Sequence, residues 1–256
     1  MDDYTPHLSQ QPSDSGPVET PAPDVATAVA DSAPPVEAAD IPAAADFTSH
    51  DLATQMVAKL CHDFISPAGA IMSGLDLLDD PSAQDMRQEA LNLIAASAKK
   101  MVTLVHFARV AFGASNSAEA FSGAQLNKIL SDVYSTMRAE LDFAIDGQII
   151  FPKSAARALL NLGLIAGNSL PVGGNARLEA TIGEDGIKLT AESRGPRARL
   201  KVEATEGLKG LPLSDGLAGQ WIQPHWLYAT VQEAGGTLEF RADTDALFFE
   251  INLPAS

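Results

Sequence analysis

Two consecutive stretches with apolar residues at helical spacing, hinged at Asp79-Asp80-Pro81, constrain this chain more than any other feature. In the first, Met56, Leu60, Phe64, Ile71, Leu75 and Leu78 fall on one line, with Val57, Cys61, Ile65, Ala68 and Met72 beside it. Thr48 and Asp51 have the spacing of a capping box, so this helix begins near Thr48. In the second, Met86, Ala90, Leu93, Ile94, Met101, Leu104, Val105, Ala108 and Ala111 keep the period up to Gly113, a natural C-cap. Asp80 suits the cap of this second helix and Pro81 its first position. Two helices of ~30 residues are each about 45 Å long, and a tight turn makes them antiparallel neighbours. Their apolar stripes are wider than one partner helix covers. A second copy buries the surplus, so the expectation is a homodimer built on a four-helix bundle. Cys61 is read as a small core residue.

The hairpin occupies residues 47–113. Residues 114–121 are small and polar and read as a linker. From 122 to 256 helical and strand patterns mix. Ser122 and Gln125 open a helix, Phe143 to Phe151 suggests a strand, and Ala155 to Leu170 is helical up to Pro171. Strands are expected near 176–182 and 187–192, a helix over 226–234 ending at Gly235-Gly236, and a closing hairpin of strands over 237–241 and 247–253. The whole is of the α+β class: a helical hairpin followed by an α/β sandwich with helices on one sheet face.

Residues 1–46 stand apart. They hold half of the 16 prolines, nine acids and no Lys or Arg. Such a stretch has too little apolar surface to offset its ordering entropy and reads as a disordered acidic tail. The chain as a whole carries a formal net charge of −16, which disfavours nucleic acid as a partner. No apolar run approaches the ~20 residues of a membrane helix. A single cysteine and the absence of a signal-peptide pattern fit a cytoplasmic protein.

The chemistry points to His62. Gln55, Lys59, His62, Ser66, Gly69, Ser73 and Asp76 form a polar line down the first helix, opposite its apolar stripes. An exposed imidazole on a rigid helix is within reach of another protein, and its uncharged form is a nucleophile near neutral pH. Ser66, one turn along, is placed to bond the ring or an incoming phosphoryl oxygen. Asp63, if its rotamer reaches, holds the proton on Nδ1 and frees Nε2 to attack. Pro67 removes the helical bond to the Asp63 carbonyl, so a bend is expected below the histidine. A metal site on Cys61 and His62 is disfavoured, because adjacent helical residues diverge and no Cys or His lies at i+3 or i+4. His7, His50, His106 and His225 lack comparable company and read as structural or solvent-exposed.

The run His62-Asp63-Phe64-Ile65-Ser66-Pro67 resembles the phosphoacceptor box of sensor histidine kinases. Together with Ser73-Gly74-Leu75-Asp76-Leu77-Leu78, Arg109 to Ala114 and Gly195-Pro196-Arg197-Ala198-Arg199, it resembles the histidine phosphotransferases of alphaproteobacteria, from about residue 50 to the C-terminus. The resemblance implies a dimerisation hairpin followed by a degenerate relative of the kinase ATP-binding (GHKL) domain. The nucleotide motifs are altered here. Ile165 stands where a kinase has its Mg²⁺-binding Asn, and Ser193-Arg194-Gly195-Pro196-Arg197 lacks the adenine-binding acid and the second glycine. Counting back from Gly235-Gly236, the phosphate loop falls on Trp221-Ile222-Gln223-Pro224, and the remaining glycines, Gly216 and Gly219 among them, read as loop turns.

The resemblance thus implies a phosphotransferase without autokinase activity, shuttling a phosphoryl group through phospho-His62 in a two-component phosphorelay. Its partners are the receiver domain of a hybrid histidine kinase and response regulators. No cofactor or metal is expected in this chain, with Mg²⁺ supplied by the partner receiver. His62, Asp63 and Ser66 are the catalytic set, Gln55, Lys59, Gly69 and Ser73 the partner contacts, and Pro67 structural. The alternatives are an ATP-dependent histidine kinase and a non-catalytic dimeric scaffold that binds receivers.

Overall fold

The computed structural model describes residues 48–113 and 120–255. The tail expected over 1–46 and most of the linker expected over 114–121 lie outside the described residues. The first helix, α1, runs Ser49–Asp79, opened by the reciprocal Thr48/Asp51 capping box. It continues through Pro67, which is buried. Asp80 caps the next segment by accepting from the Ser82 amide, with Pro81 in the first turn. That segment, Pro81–Met86, is a 3-10 helix interrupted at Ala83, and the α-helix proper, α2, spans Arg87–Ala111. Its C-cap is Phe112, one residue before the glycine expected there.

The two helices cross closely at Gly74. A Cβ at that position would meet Ile94 Cγ1 at 2.6 Å and the Ala90 carbonyl oxygen at 3.1 Å. The inward face of α1 carries Met56, Leu60, Phe64, Pro67, Ile71 and Leu78, at least half-buried. Its second stripe is uncovered: Val57, Ile65, Met72 and Leu75 are exposed, and so is Cys61. Placing Cys61 in the core is therefore corrected for the single chain, because α2 covers only one of the two stripes.

After the hairpin, β1 (Ala120–Ser122) pairs antiparallel with β3 (Ile150–Pro152). Ala120 and Phe121, expected in the linker, are thus strand. Helix α3 (Gly123–Tyr134) opens on the Ser122/Gln125 capping box. The strand expected over 143–151 is instead two: β2 (Ala139–Phe143) and β3, separated by a turn at Asp146. There the Asp146 carboxylate accepts from the Gln148 amide and its carbonyl from the Ile149 amide. Then come α4 (Lys153–Asn168), β4 (Gly174–Gly183), β5 (Gly186–Arg194), α5 (Val202–Leu208), α6 (Ala218–Glu233), β6 (Thr237–Asp243) and β7 (Ala246–Pro254).

The main sheet has the order β2-β4-β5-β7-β6, parallel only between β2 and β4. One face packs on the helices through alternate residues such as Leu178, Leu189, Phe249 and Ile251. The other carries paired charges: Arg177 with Asp142 and Glu179, and Lys188 with Glu250. This is the expected α/β arrangement with helices on one face.

Hairpin and sheet region pack as one body. Met56 of α1 joins Trp221 and Ile222 of α6 in a buried cluster, with Leu60, Phe112 and Trp226 around it. At the end of α2, the Ala111 carbonyl accepts from Asn161 Nδ2 and Trp226 Nε1 at 3.4 and 3.3 Å, and the Gly113 carbonyl accepts from Arg157. These bonds satisfy carbonyls that a helix end leaves without partners.

Candidate active site

His62 stands on α1 with 87% of its side chain exposed. Its i±3 and i±4 neighbours set its surroundings. Asp63 turns toward the ring, with Oδ1 3.5 Å from His62 Nδ1, while Oδ2 receives Lys59 Nζ at 2.5 Å. At 3.5 Å the carboxylate acts on the ring mainly as a charge. Lys59 and Asp63 lie at i, i+4 and are half-covered, with side chains 15% and 30% exposed. One carboxylate therefore links a largely covered ammonium to an open imidazole, leaving Nε2 facing outward for chemistry.

Ser66, Gly69, Ser73 and Asp76 are all exposed, so the polar line is a continuous surface running from His62 toward the hairpin turn. No hydrogen bond joins Ser66 to His62 among the described residues. Gln55 is half-buried, and Lys59 is turned to Asp63 and to a neighbouring cleft. Of the expected partner contacts, Gly69 and Ser73 are the open ones. The i, i+4 spacing of Lys59 and Asp63 was visible in the sequence, but their pairing went unread.

His50 is exposed. His225 is half-buried and stacks on Trp221 at 4.3 Å between ring centroids, and burial lowers its pKa. Among the described residues, no group of three or more His, Cys, Asp or Glu side chains is placed to hold a metal ion.

The positions expected to have lost nucleotide contacts are filled by protein. Ile165 is 4% exposed. Ser193 is fully buried, its hydroxyl donating to the Ala166 carbonyl. Arg197, at the place of the second glycine, keeps a left-handed backbone (φ 61°), its N–H donating to the Asp245 carboxylate. The expected phosphate-loop position lies in a helix. Trp221 to Pro224 lie inside α6 and are buried, because that helix starts eight residues earlier than expected, at Ala218. Gly216 and Gly219 flank that start: Gly216 is a turn with φ +95°, but Gly219 is helical.

Residues 123–246 match the family model described as the histidine phosphotransferase C-terminal domain. The protein phosphotransferase ChpT of Brucella abortus (strain 2308) is 29% identical over 207 residues, covering 78% of this chain and 94% of that protein. A solved structure of a bacterial phosphotransferase superposes with a TM-score of 0.71 at 24% identity, covering 80% of this chain and 97% of that one, a likeness of fold. These likenesses fall on a helical hairpin with an open histidine, fastened to an α/β sandwich. The chain is thus similar to histidine phosphotransferases, over residues 123–246 by the family model and over most of its length by the relative.

Among the described residues, no helix is long and apolar enough to cross a membrane.

Proposed function

We propose that the chain relays a phosphoryl group between receiver-domain aspartates through Nε2 of His62. The observation that carries this reading is the open imidazole with a carboxylate 3.5 Å from its other nitrogen. A phosphorylated receiver docks along the exposed polar line of α1. Nε2 attacks phosphorus in line: the N–P bond forms, the acyl-phosphate P–O bond breaks, and its electron pair returns to the receiver's aspartate. Positive charge develops on the ring, whose Nδ1 keeps its proton facing Asp63. A second receiver reverses the sequence, and because phosphoramidate and acyl phosphate are both high-energy links, transfer runs either way. Mg²⁺ belongs to the receiver's acidic pocket, where it neutralises the transferring oxygens, so this chain needs no metal of its own. Ser66, Gly69 and Ser73 are the contact surface.

We further read the working unit as a homodimer. The uncovered stripe Val57, Cys61, Ile65, Met72 and Leu75 on α1 and the stripe Leu91, Val102 and Val105 on α2 are exposed at helical spacing. Exposed contiguous apolar surface of this kind marks an interface, and a four-helix bundle of two hairpins covers both stripes. The phosphoryl group comes from a receiver and not from ATP, because Ile165 supplies no Mg²⁺ ligand and the buried Ser193 offers no carboxylate to adenine.

One experiment tests the relay: transfer from a labelled phospho-receiver to wild type and His62→Ala in parallel. Wild type takes the label in an acid-labile, base-stable form and His62→Ala takes none. Onward transfer surviving in His62→Ala would reduce the chain to a receiver-binding scaffold, and labelling of wild type by ATP alone would make it a kinase.

A further inference from the structure

Lys59 faces more than Asp63. It also lines a cleft of about 290 Å³ bounded by α4, α5 and α6. Two further cations, Arg199 and Lys201, line the same cleft, and no aspartate or glutamate does. Asp63 matches Lys59, so Arg199 and Lys201 are the local excess of positive charge at this hollow, in a chain with a formal net charge of −16. Among the described residues, no ion pair holds Arg199 or Lys201. The loop that carries them is fixed, since the Arg199 amide donates to the Ser169 carbonyl at 3.0 Å.

The cleft also receives the start of α6. Gly219 lies in its first turn and lines the hollow, and a Cβ added there would meet nothing within 4 Å. The N-cap, Leu217, supplies no side-chain hydrogen bond to the first-turn amides. The Leu217 amide itself donates to the Glu203 carboxylate at 3.3 Å, so the 16-residue helix turns its remaining first-turn amides, Gly219 among them, toward the cations. The volume is at the small end of the ~300–1,000 Å³ seen for ligand pockets.

We propose that this cleft binds a small, multiply charged anion of the phosphate or diphosphate class, which competes with Asp63 for Lys59. Occupancy draws the ammonium away from Asp63, so the full carboxylate charge bears on the His62 ring. The anion thereby accelerates loading of His62. Only this last consequence rests on the relay reading; the site stands on the cleft itself.

The test uses the full-length chain and sodium pyrophosphate, titrated by calorimetry. Wild type and His62→Ala both show one saturable site per chain. Arg199→Gln/Lys201→Gln binds at least tenfold more weakly, while Arg194→Gln/Arg241→Gln, on the open sheet face, binds as wild type; circular dichroism and melting confirm that each is folded. No saturable binding at millimolar pyrophosphate, or equal loss in both double variants, overturns the site. In the relay assay, pyrophosphate speeds loading of wild type and leaves Arg199→Gln/Lys201→Gln unmoved. Binding without that acceleration overturns the competition for Lys59. ATP binding more tightly than tripolyphosphate, and losing affinity in the cleft variant, leaves the anion site standing and overturns the reading that ATP is not bound.

Discussion

Replacing Asp63 by Asn removes one charge and almost nothing else, so it isolates what the carboxylate does for His62. During attack the ring passes from neutral to cationic, and the charge of Asp63 lies 3.5 Å from Nδ1. In water a unit pair at that distance is worth about 1.2 kcal/mol, roughly a sevenfold rate effect. With a docked receiver excluding water, an effective dielectric near 20 raises this to about 4.7 kcal/mol, on the order of 10³ in rate. Lys59, 2.5 Å from the other carboxylate oxygen, damps the effect. Loading of Asp63→Asn is therefore expected to fall between roughly 4-fold and 10³-fold. The Lys59–Asp63 pair is mostly covered, so its loss costs on the order of 1–3 kcal/mol of stability, and circular dichroism checks that the variant is folded. The assay is single-turnover transfer from a phospho-receiver by quench-flow, at receiver concentrations that saturate binding. Lys59→Met leaves the carboxylate undamped, so it speeds the same step. If Asp63→Asn loads within twofold of wild type, the carboxylate has no electrostatic role. If Lys59→Met slows loading as much as Asp63→Asn does, the pair acts only by holding the helix surface in shape.

Gly74→Ala tests the helix crossing: an alanine would normally favour a helix by up to ~1 kcal/mol, but here its Cβ meets Ile94 Cγ1 at 2.6 Å, so a net loss of about 1–3 kcal/mol is expected as a lower melting temperature. If the proposed homodimer forms, Met72→Glu, which places a charge on the uncovered α1 stripe, gives a monomer by light scattering where wild type gives a dimer, and Cys61 reacts faster with a thiol reagent in the variant than in wild type. Tyr134→Phe removes a bond of 2.6 Å from its hydroxyl to the Gly163 carbonyl and costs about 0.5–1.5 kcal/mol by urea titration at neutral pH. Burial also holds the Tyr134 phenol well above its ordinary value. Above pH ~10 the unfolded chain loses that proton and the folded chain keeps it, so wild type loses stability by up to ~1.4 kcal/mol per pH unit through this group. Tyr134→Phe escapes that loss, so the gap between the two narrows as pH rises through that window.

The hairpin was legible because its apolar period runs unbroken for many turns and its boundaries are chemical: Thr48 with Asp51, then Asp80 with Pro81. The Ser122/Gln125 box announced α3 for the same reason. Where the reading slipped, local propensity was overruled by pairing or packing. Phe143 to Phe151 is rich in strand formers, yet Asp146 turns the chain in its middle. Pro224 has the lowest helix propensity of any residue type, yet α6 holds it in a buried interior and reaches back to Ala218, eight residues before the expected start. At the site, the placing of His62 on an outward helix face followed from periodicity alone. Arg199 and Lys201 were invisible as a cluster with Lys59, because more than a hundred residues separate them and only the folding of α5 and α6 against α1 brings them to one cleft.

The residues that stand in place of nucleotide contacts have a second occupation, and it explains the way the two regions are joined. Trp221 is 1% exposed and packs with Met56 of α1, while its indole N–H donates to the Leu211 carbonyl at 2.8 Å. Asn161, one turn before Ile165 on α4, is fully buried: its amide donates to the end of α2 and its carbonyl oxygen accepts from Gln223 of α6 at 3.3 Å. A large indole is worth several kcal/mol in such a seam, and truncating one typically costs about 3–5 kcal/mol. Side chains at these positions therefore fasten the sheet region to the hairpin that bears His62. An enzyme that phosphorylated its own histidine from a bound nucleotide would need to bring that nucleotide's terminal phosphate to the ring. A seam clasped by Trp221, Asn161 and Gln223 opposes that travel and holds a fixed surface beside His62. A fixed surface is what a visiting receiver requires, since in-line attack depends on holding phosphorus and Nε2 within a few tenths of an ångström. On this argument Trp221→Ala, with its seam loosened, slows transfer at saturating receiver while His62 itself is untouched.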